Sequence, residues 1–543
     1  MKMRNVKKLI YILCFCMLCI IDQRIKTGSG LDGVIESFRD SIGLVTAVII
    51  LSHYVPNDIK RSKTALGIWG IVGIFIGIAA FFMLREWFYF PNDRFILSAN
   101  IYLHGFVLIF LIRRIGIDRV KPVLNKRLFA LWLLMFIWMN FSRSDYIWPL
   151  VYLFMFGCML LTDFSEAEEE QIFEGAADGI ILSFILFGIF SCMFRPYNAD
   201  QGARYTGIYN NPNLYAEYIC VVTAAVIYRV LAFYKDEGES AKLWKKLIAW
   251  AMLGIVLSFQ FFSISRSGAI TTCVLLLLFL FFYKLCIKRS SIVKNIILTA
   301  LSFAVCMPLC FLAIRYMPPV FHHPIWFWGE WNEGKVHSFD PWNSDKYVSF
   351  DYLMNSTVAR VLVPFNNMAL KLGITDELLM DGGENMSEED YLWLQELTPQ
   401  EEEQLMAERG AVLHLYEEAN AFLLRKTIYA HYIKNLNLLG HPQSEQGLQT
   451  TIYSWVGHAH DIYLQYATDF GVPMAVMFIV FFAWCGIILF NRARGGNITA
   501  LLELMFMLMP LIFGVFEYSW GSGSVESVLM FMVPVFAMRK TNG

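Results

Sequence analysis

Repeated apolar runs limit most strongly what this chain can become. Runs of roughly 15 to 22 residues recur along it, separated by short charged or turn-rich segments. That spacing is what an α-helix needs to cross about 30 Å of hydrocarbon. Only helices and closed barrels satisfy their backbone hydrogen bonds inside lipid, and the alternating segments of about ten residues that mark barrel strands are absent. Composition agrees. With 57% apolar and 17% charged residues over 543 positions, and a mean hydropathy of +0.49, a water-soluble globule is excluded. The fold class expected is all-α, a polytopic helical membrane protein.

About fourteen spans are expected, near 8–21, 41–55, 65–84, 96–112, 128–141, 145–161, 176–194, 213–233, 246–262, 268–286, 294–314, 461–489, 498–516 and 524–538. This gives a membrane domain over 1–314 with about eleven spans, one large loop domain over 315–460, and a membrane segment over 461–543 with about three. The basic, then apolar stretch Met1 to Ile21 has no small-residue cleavage pattern after it and reads as a retained first span. Basic clusters fall on every second connection: Lys2, Arg4, Lys7 and Lys8; Lys60, Arg61 and Lys63; Arg113 to Arg127; Lys235 to Lys246; Lys284 to Lys294; Arg492 and Arg494; Arg539 and Lys540. Positive residues stay on the cytoplasmic side, so both termini are expected there and the large loop outside. The acidic connection Asp163 to Glu170 breaks the pattern.

In the large loop, His322 to Asp351 carries Trp326, Trp328, Trp331 and Trp342, suited either to interface anchoring or to sugar stacking. Further on, Ser387 to Asp390 and Thr398 to Glu401 read as capping boxes that open helices, the second pattern running towards Gly440. The loop is thus expected to be a mainly helical cap. All eleven cysteines lie in apolar runs and read as small buried hydrophobes, neither a disulfide frame nor a zinc site. Net charge is −2, and no basic tract interleaves with aromatics, so no nucleic-acid partner is expected.

Four outward segments could carry chemistry. Arg204 to Asn213 ends in Asn211-Pro212-Asn213, a turn into a helix with Asn213 a candidate N-cap; exposed N–H groups there suit an anion, and ordinary capping would use the same residues. Ser263 to Gly268 is a tight hairpin that puts Arg266 at the outer face. Snorkelling alone would explain one arginine, whereas the flanking Ser and Gly would let a phosphate approach a guanidinium fork. Asn420 to His441 carries Arg425, Lys426, His431 and Lys434 on a helix, with Arg360 a rival for the same role. Last, Gly457 to Gln465 holds His458 and His460 where the chain re-enters the membrane. No third metal ligand accompanies them, so a general base is the better reading, oriented by Asp461.

Arg204-x2-Gly207 with Asn211-Pro212-Asn213 before a span, Ser265-Arg266-Ser267-Gly268 between two spans, a long outer loop with a late arginine, and His458-Ala459-His460-Asp461-x-Tyr463-Leu464-Gln465 with Gly471 opening the next span occur in that order. Together they resemble the O-antigen ligase and polymerase family over roughly Arg204 to Pro473. The resemblance implies a bacterial cytoplasmic-membrane enzyme that transfers a glycan from undecaprenyl diphosphate to a glycan or lipid acceptor, with inversion, on the extracytoplasmic face. It implies no cofactor and no required metal. It assigns catalysis to His460, Arg266 and Arg425, and substrate binding to Arg204, Asn211, Asn213, Arg360, His458 and Asp461. Two departures stand: Asp461 sits where an Asn commonly follows the histidine, and either Arg360 or Arg425 could match the loop arginine. Polymerase is preferred to ligase. From another class, a polysaccharide or lipid-linked glycan transporter would need a charged path through the spans, where Glu217, Glu503 and Glu526 are the main acids.

Overall fold

The computed structural model describes residues 2–21, 45–54, 123–146, 148–195, 197, 203–209, 211–237, 240–286, 291–321, 347–374, 377–379, 385–387, 421–448, 456–518 and 524–539. The expected spans at 65–84 and 96–112, the four loop tryptophans and the Thr398 capping box lie outside these residues.

Helices dominate what is described. They are α1 (Lys2–Ile21), α2 (Val45–Tyr54), α3 (Lys126–Phe141), α4 (Trp148–Leu160), α5 (Glu166–Phe194), α6 (Pro212–Asp236), α7 (Leu243–Phe262), α8 (Arg266–Cys286), α9 (Ile292–Phe321), α10 (Phe350–Lys371), α11 (Ala421–Lys434), α12 (Ile462–Phe470), α13 (Val472–Arg494), α14 (Ile498–Phe513) and α15 (Val525–Ala537). Two three-residue strands, β1 (Glu377–Leu379) and β2 (Asn385–Ser387), pair antiparallel. Ser387 ends β2, and the rest of its expected capping box, Glu388 to Asp390, lies outside the described residues. Six helices are long and apolar enough to cross a membrane, namely α5 to α9 and α13, and shorter apolar helices accompany them.

Burial ranks these helices from centre to perimeter. α6, α14 and α15 are buried on nearly all sides, whereas only 11% of the apolar window of α9 is buried. Small residues set the closest approaches. A Cβ on Gly175 or Gly179 of α5 would come within 2.4 Å of Tyr11 or Ile12, so α1 lies directly on that pair. Gly254 does the same for α7 against Ser302 of α9, at 2.4 Å.

The acidic segment at the start of α5 is matched by its neighbours. Ser165 and Glu168 form the capping box that starts the helix, and Glu168 also pairs with Lys7 and His53 at 3.0 Å. Glu174 and Asp178 take Lys8 and Arg229. Glu169 and the fully buried Glu503 share Arg492. The exception to the charge pattern is thus a set of acids that cancels basic residues from the chain start and from α6 and α13 at the same end of the helices.

One expected span is two helices. The run over 461–489 breaks at Gly471, whose φ is +91°. A Cβ there would lie 1.9 Å from the carbonyl oxygen of Leu438, and the N–H of Val472 donates to Asn437 at 3.0 Å. The segment after α11 is wedged into the break, so the short α12 turns back before α13 begins.

Candidate active site

Four segments distant in sequence meet at the opposite end of the helices from the α5 acids, and Glu517 joins them. This residue sits in the turn that follows α14 and is 7% exposed. Its Oε1 lies 2.6 Å from Nδ1 of His460. Its Oε2 accepts from Nη2 of Arg425 at 3.1 Å and from Nδ2 of Asn213 at 2.9 Å. The amide oxygen of Asn213 in turn accepts from Nη2 of Arg204 at 2.5 Å and from the Ser265 hydroxyl at 3.2 Å.

Electrostatics fix the proton positions. Burial pushes the Glu517 carboxyl up, but the hydrogen bond and charge of His460, then Arg425 and His458, outweigh it and leave the group below its usual range. An ionised carboxylate only accepts, so Nδ1 of His460 carries the proton. With Nδ1 so engaged, Nε2 is the ring atom left to accept a proton, as a general base would.

The backbone is strained where these groups meet. His460 has φ +52° and Ile264 has φ +45°, the two non-glycine residues in the left-handed region among those described. Ile264 is β-branched and particularly disfavoured there. Strain of this kind persists only where surrounding structure imposes it, and it gathers at functional sites. Here the imposing contacts are visible. Tyr429 of α11 donates to the His460 carbonyl at 3.3 Å, the Ala459 N–H donates to the Gln465 side chain at 2.7 Å, and Ile428, Tyr432, Val456 and Ala459 pack together below.

Several residues singled out in sequence turn out to hold the frame. Asp461 does not orient His460; it caps α12, accepting the Leu464 N–H at 2.7 Å, and Glu517 takes the orienting position. Asn211, and not Asn213, caps α6, with Pro212 at its first position, which releases Asn213 to reach Glu517. Arg204 braces two loops, its Nε donating to the Ser263 carbonyl at 3.2 Å. Gly268 and the serines serve the protein itself: a Cβ on Gly268 would meet Gln260 at 2.1 Å, and the Ser265 hydroxyl receives the Gly268 N–H at 3.3 Å. Arg266 opens α8, half-buried, one residue beyond Ser265. Arg425 is the loop arginine that reaches Glu517, while Arg360 lies half-buried on α10.

His458 packs its ring 4.1 Å from that of His460 and 5.4 Å from that of Tyr518. Its Nδ1 is buried with no hydrogen-bond partner among the described residues. Burial, then the charge of His460, pushes its pKa down to about 4, so the ring stays neutral beside the base. No group of three metal-ligating side chains gathers among the described residues.

Glu517 is the residue that sequence reasoning missed. Its signal was a lone acid in Val515-Phe516-Glu517-Tyr518, on a short connection between two apolar runs. Behind it lies a narrow enclosed void that Glu217, Glu526, Ser527 and Tyr518 also line. No protein-family model matches the chain, and neither does any curated protein or solved structure.

Proposed function

We propose that the protein is a membrane glycosyltransferase that moves a glycan from an undecaprenyl diphosphate carrier to an acceptor hydroxyl, on the extracytoplasmic face of a bacterial cytoplasmic membrane. The observation that carries this reading is the His460–Glu517–Arg425 arrangement: a histidine with its Nδ1–H on an ionised carboxylate, next to an arginine held by the same carboxylate.

The chemistry follows from those groups. Nε2 of His460 takes the proton of the acceptor hydroxyl as its oxygen attacks the anomeric carbon. The bond from that carbon to the diphosphate oxygen breaks on the opposite face, which inverts the centre. Undecaprenyl diphosphate leaves with the bonding pair, and its charge is stabilised by Arg425 and Arg266. Only Nη2 of Arg425 is engaged among the described residues, so its guanidinium retains donors for a phosphate. The imidazolium then releases its proton to water, and Glu517 stabilises it meanwhile. Polymerisation is the preferred form of the reaction, with both substrates lipid-linked.

The topology that goes with this reading has fourteen spans, cytoplasmic termini and a loop domain over 315–460. Lys7, Lys8, Arg229 and Arg492 share one end, which supports that end as cytoplasmic.

The test is transfer by purified protein in nanodiscs, supplied with undecaprenyl-diphosphate-linked repeat units. Wild type is expected to build a ladder of longer lipid-linked glycans, which His460→Ala and Arg425→Ala lose while remaining folded. Elongation by both variants at the wild-type rate would remove the proposed roles. Failure of wild type to transfer to any acceptor, with movement of the intact lipid across the bilayer, would establish a transporter instead.

A further inference from the structure

α10 presents an apolar stripe that none of the described helices covers. At about 100° per residue, Val358, Val361, Leu362, Phe365, Met368 and Leu372 fall within one third of its circumference, and each is between 48% and 66% exposed. Phe350 and Met354 continue the same stripe towards the helix start, where Asp351 is the one charge on that side. The buried residues Leu353, Ala359 and Val363 lie on the other side, facing the protein. A helix apolar on one side towards its own core and apolar on the other towards the exterior is not built for water.

The place where α10 begins says what lies outside it. The Val348 N–H donates to the Tyr197 carbonyl at 3.1 Å, and Nε of Arg315 donates to the Val348 carbonyl at 2.9 Å. The Phe350 ring packs 5.6 Å from Phe311 of α9. α10 therefore starts beside Phe311 and Arg315, in the last three turns of α9. α9 itself shows Val305, Leu309, Leu312 and Met317 exposed, so α10 starts beside a helix whose own apolar side chains face outwards.

We infer that α10 lies flat in the membrane surface at the active-site end, with Val358 to Leu372 immersed among the acyl chains of that leaflet. A helix of 22 residues is about 33 Å long, enough to anchor the loop domain to lipid along its whole length. This fixes the depth of the loop relative to the bilayer, which matters for any substrate carried on a lipid. The inference rests on the membrane character of the fold and not on the glycan reading, so either can fail alone.

The test uses the full chain in nanodiscs, with a nitroxide on Phe365→Cys after the eleven native cysteines are replaced by alanine. Leu309→Cys on α9 serves as the lipid reference and Glu445→Cys as the water reference. Spin relaxation by oxygen and by a water-soluble nickel chelate is then compared. Phe365 is expected to match Leu309, accessible to oxygen and shielded from nickel. A match to Glu445 overturns the inference, because the stripe then faces water. Shielding from both reagents also overturns it, because protein then covers the stripe, either residues 388–420 or a second copy. Should the cysteine variants misfold, a photo-crosslinking amino acid at position 365 of the otherwise unaltered chain gives the same decision: a lipid adduct supports the inference, and a protein adduct or no lipid adduct overturns it.

Discussion

At one end of the helices charges are matched helix against helix; at the other, His460 and Arg425 converge on Glu517, while Glu445 meets Arg143 and His441 nearby. The first end holds Glu168, Glu169, Glu174 and Asp178, each answered by Lys7, Lys8, His53, Arg229 or Arg492 from a packed neighbour. Helix starts are ordinary there, as the Ser165 capping box shows. At the second end Glu517 alone receives His460, Arg425 and Asn213, and two residues nearby accept left-handed backbone. The residue types are similar, so charge content does not distinguish a structural network from a reactive one. What distinguishes them is backbone strain, and, under the proposed function, a histidine whose outer nitrogen would serve a substrate.

The largest expected effect breaks the second end only. His460→Ala should lower turnover with lipid-linked donor by about 10²- to 10⁴-fold, and Glu517→Gln, which keeps the shape and removes the charge, by on the order of 10²-fold or more. His460→Ala should unfold near the wild-type temperature, whereas Glu517→Gln gives up the stability of its carboxylate and is compared as turnover per folded molecule. A Glu517→Gln enzyme with full turnover would show that this carboxylate is structural, like those at the other end.

Breaking the first end should cost stability and spare turnover. Arg492→Ala leaves the fully buried Glu503 and its neighbour Glu169 without their shared cation, a loss of about 3–5 kcal/mol. Thermal unfolding in nanodiscs measures it. Adding Glu503→Gln should recover most of the loss, and turnover per folded molecule should stay at the wild-type value throughout.

Acid sharpens the comparison through His458. Its pKa in the folded chain is about 4, below its ordinary 6.5, because burial and then the charge of His460 oppose protonation. Between those two values the unfolded chain binds more protons, so stability rises with pH and is lost on acidification from 6.5 towards 4. Glu517 adds a loss at lower pH, since a carboxyl held below its usual range stabilises the fold above that range and ceases to as pH falls through its folded value. Replacing His458 by Asn should flatten the upper part of the slope in urea unfolding followed across pH. An unchanged slope would remove His458 from the account.

The smallest effect separates capping from orientation at one residue. Asp461→Ala should cost about 1 kcal/mol through the lost N-cap of α12, whereas Asp461→Asn keeps the cap. Both should turn over within a few-fold of wild type. A collapse of activity in the folded Asn variant would return Asp461 to the base.

Sequence reading went furthest where neighbours along the chain decide the outcome. The apolar helical class and a helix start within Asn211-Pro212-Asn213 were legible, because hydropathy and capping chemistry are local. Legibility failed at Gly471, where the helix breaks because Leu438 occupies the space a side chain would need. It failed again at Glu517, since a lone acid in an apolar stretch looks the same whether it is idle or held by a histidine and an arginine.

By itself the sequence determined that this chain is a bundle of apolar helices with polar residues at their ends, because the hydrophobic period and the charge pattern are written residue by residue. Only the tertiary structure decided which polar residues meet. Asn213, Arg425, His460 and Glu517 come from segments up to 304 residues apart. Their encounter depends on how the helices pack and on loops wedged between helix ends. Packing is settled by the shapes of many side chains at once, and no single stretch of sequence contains it.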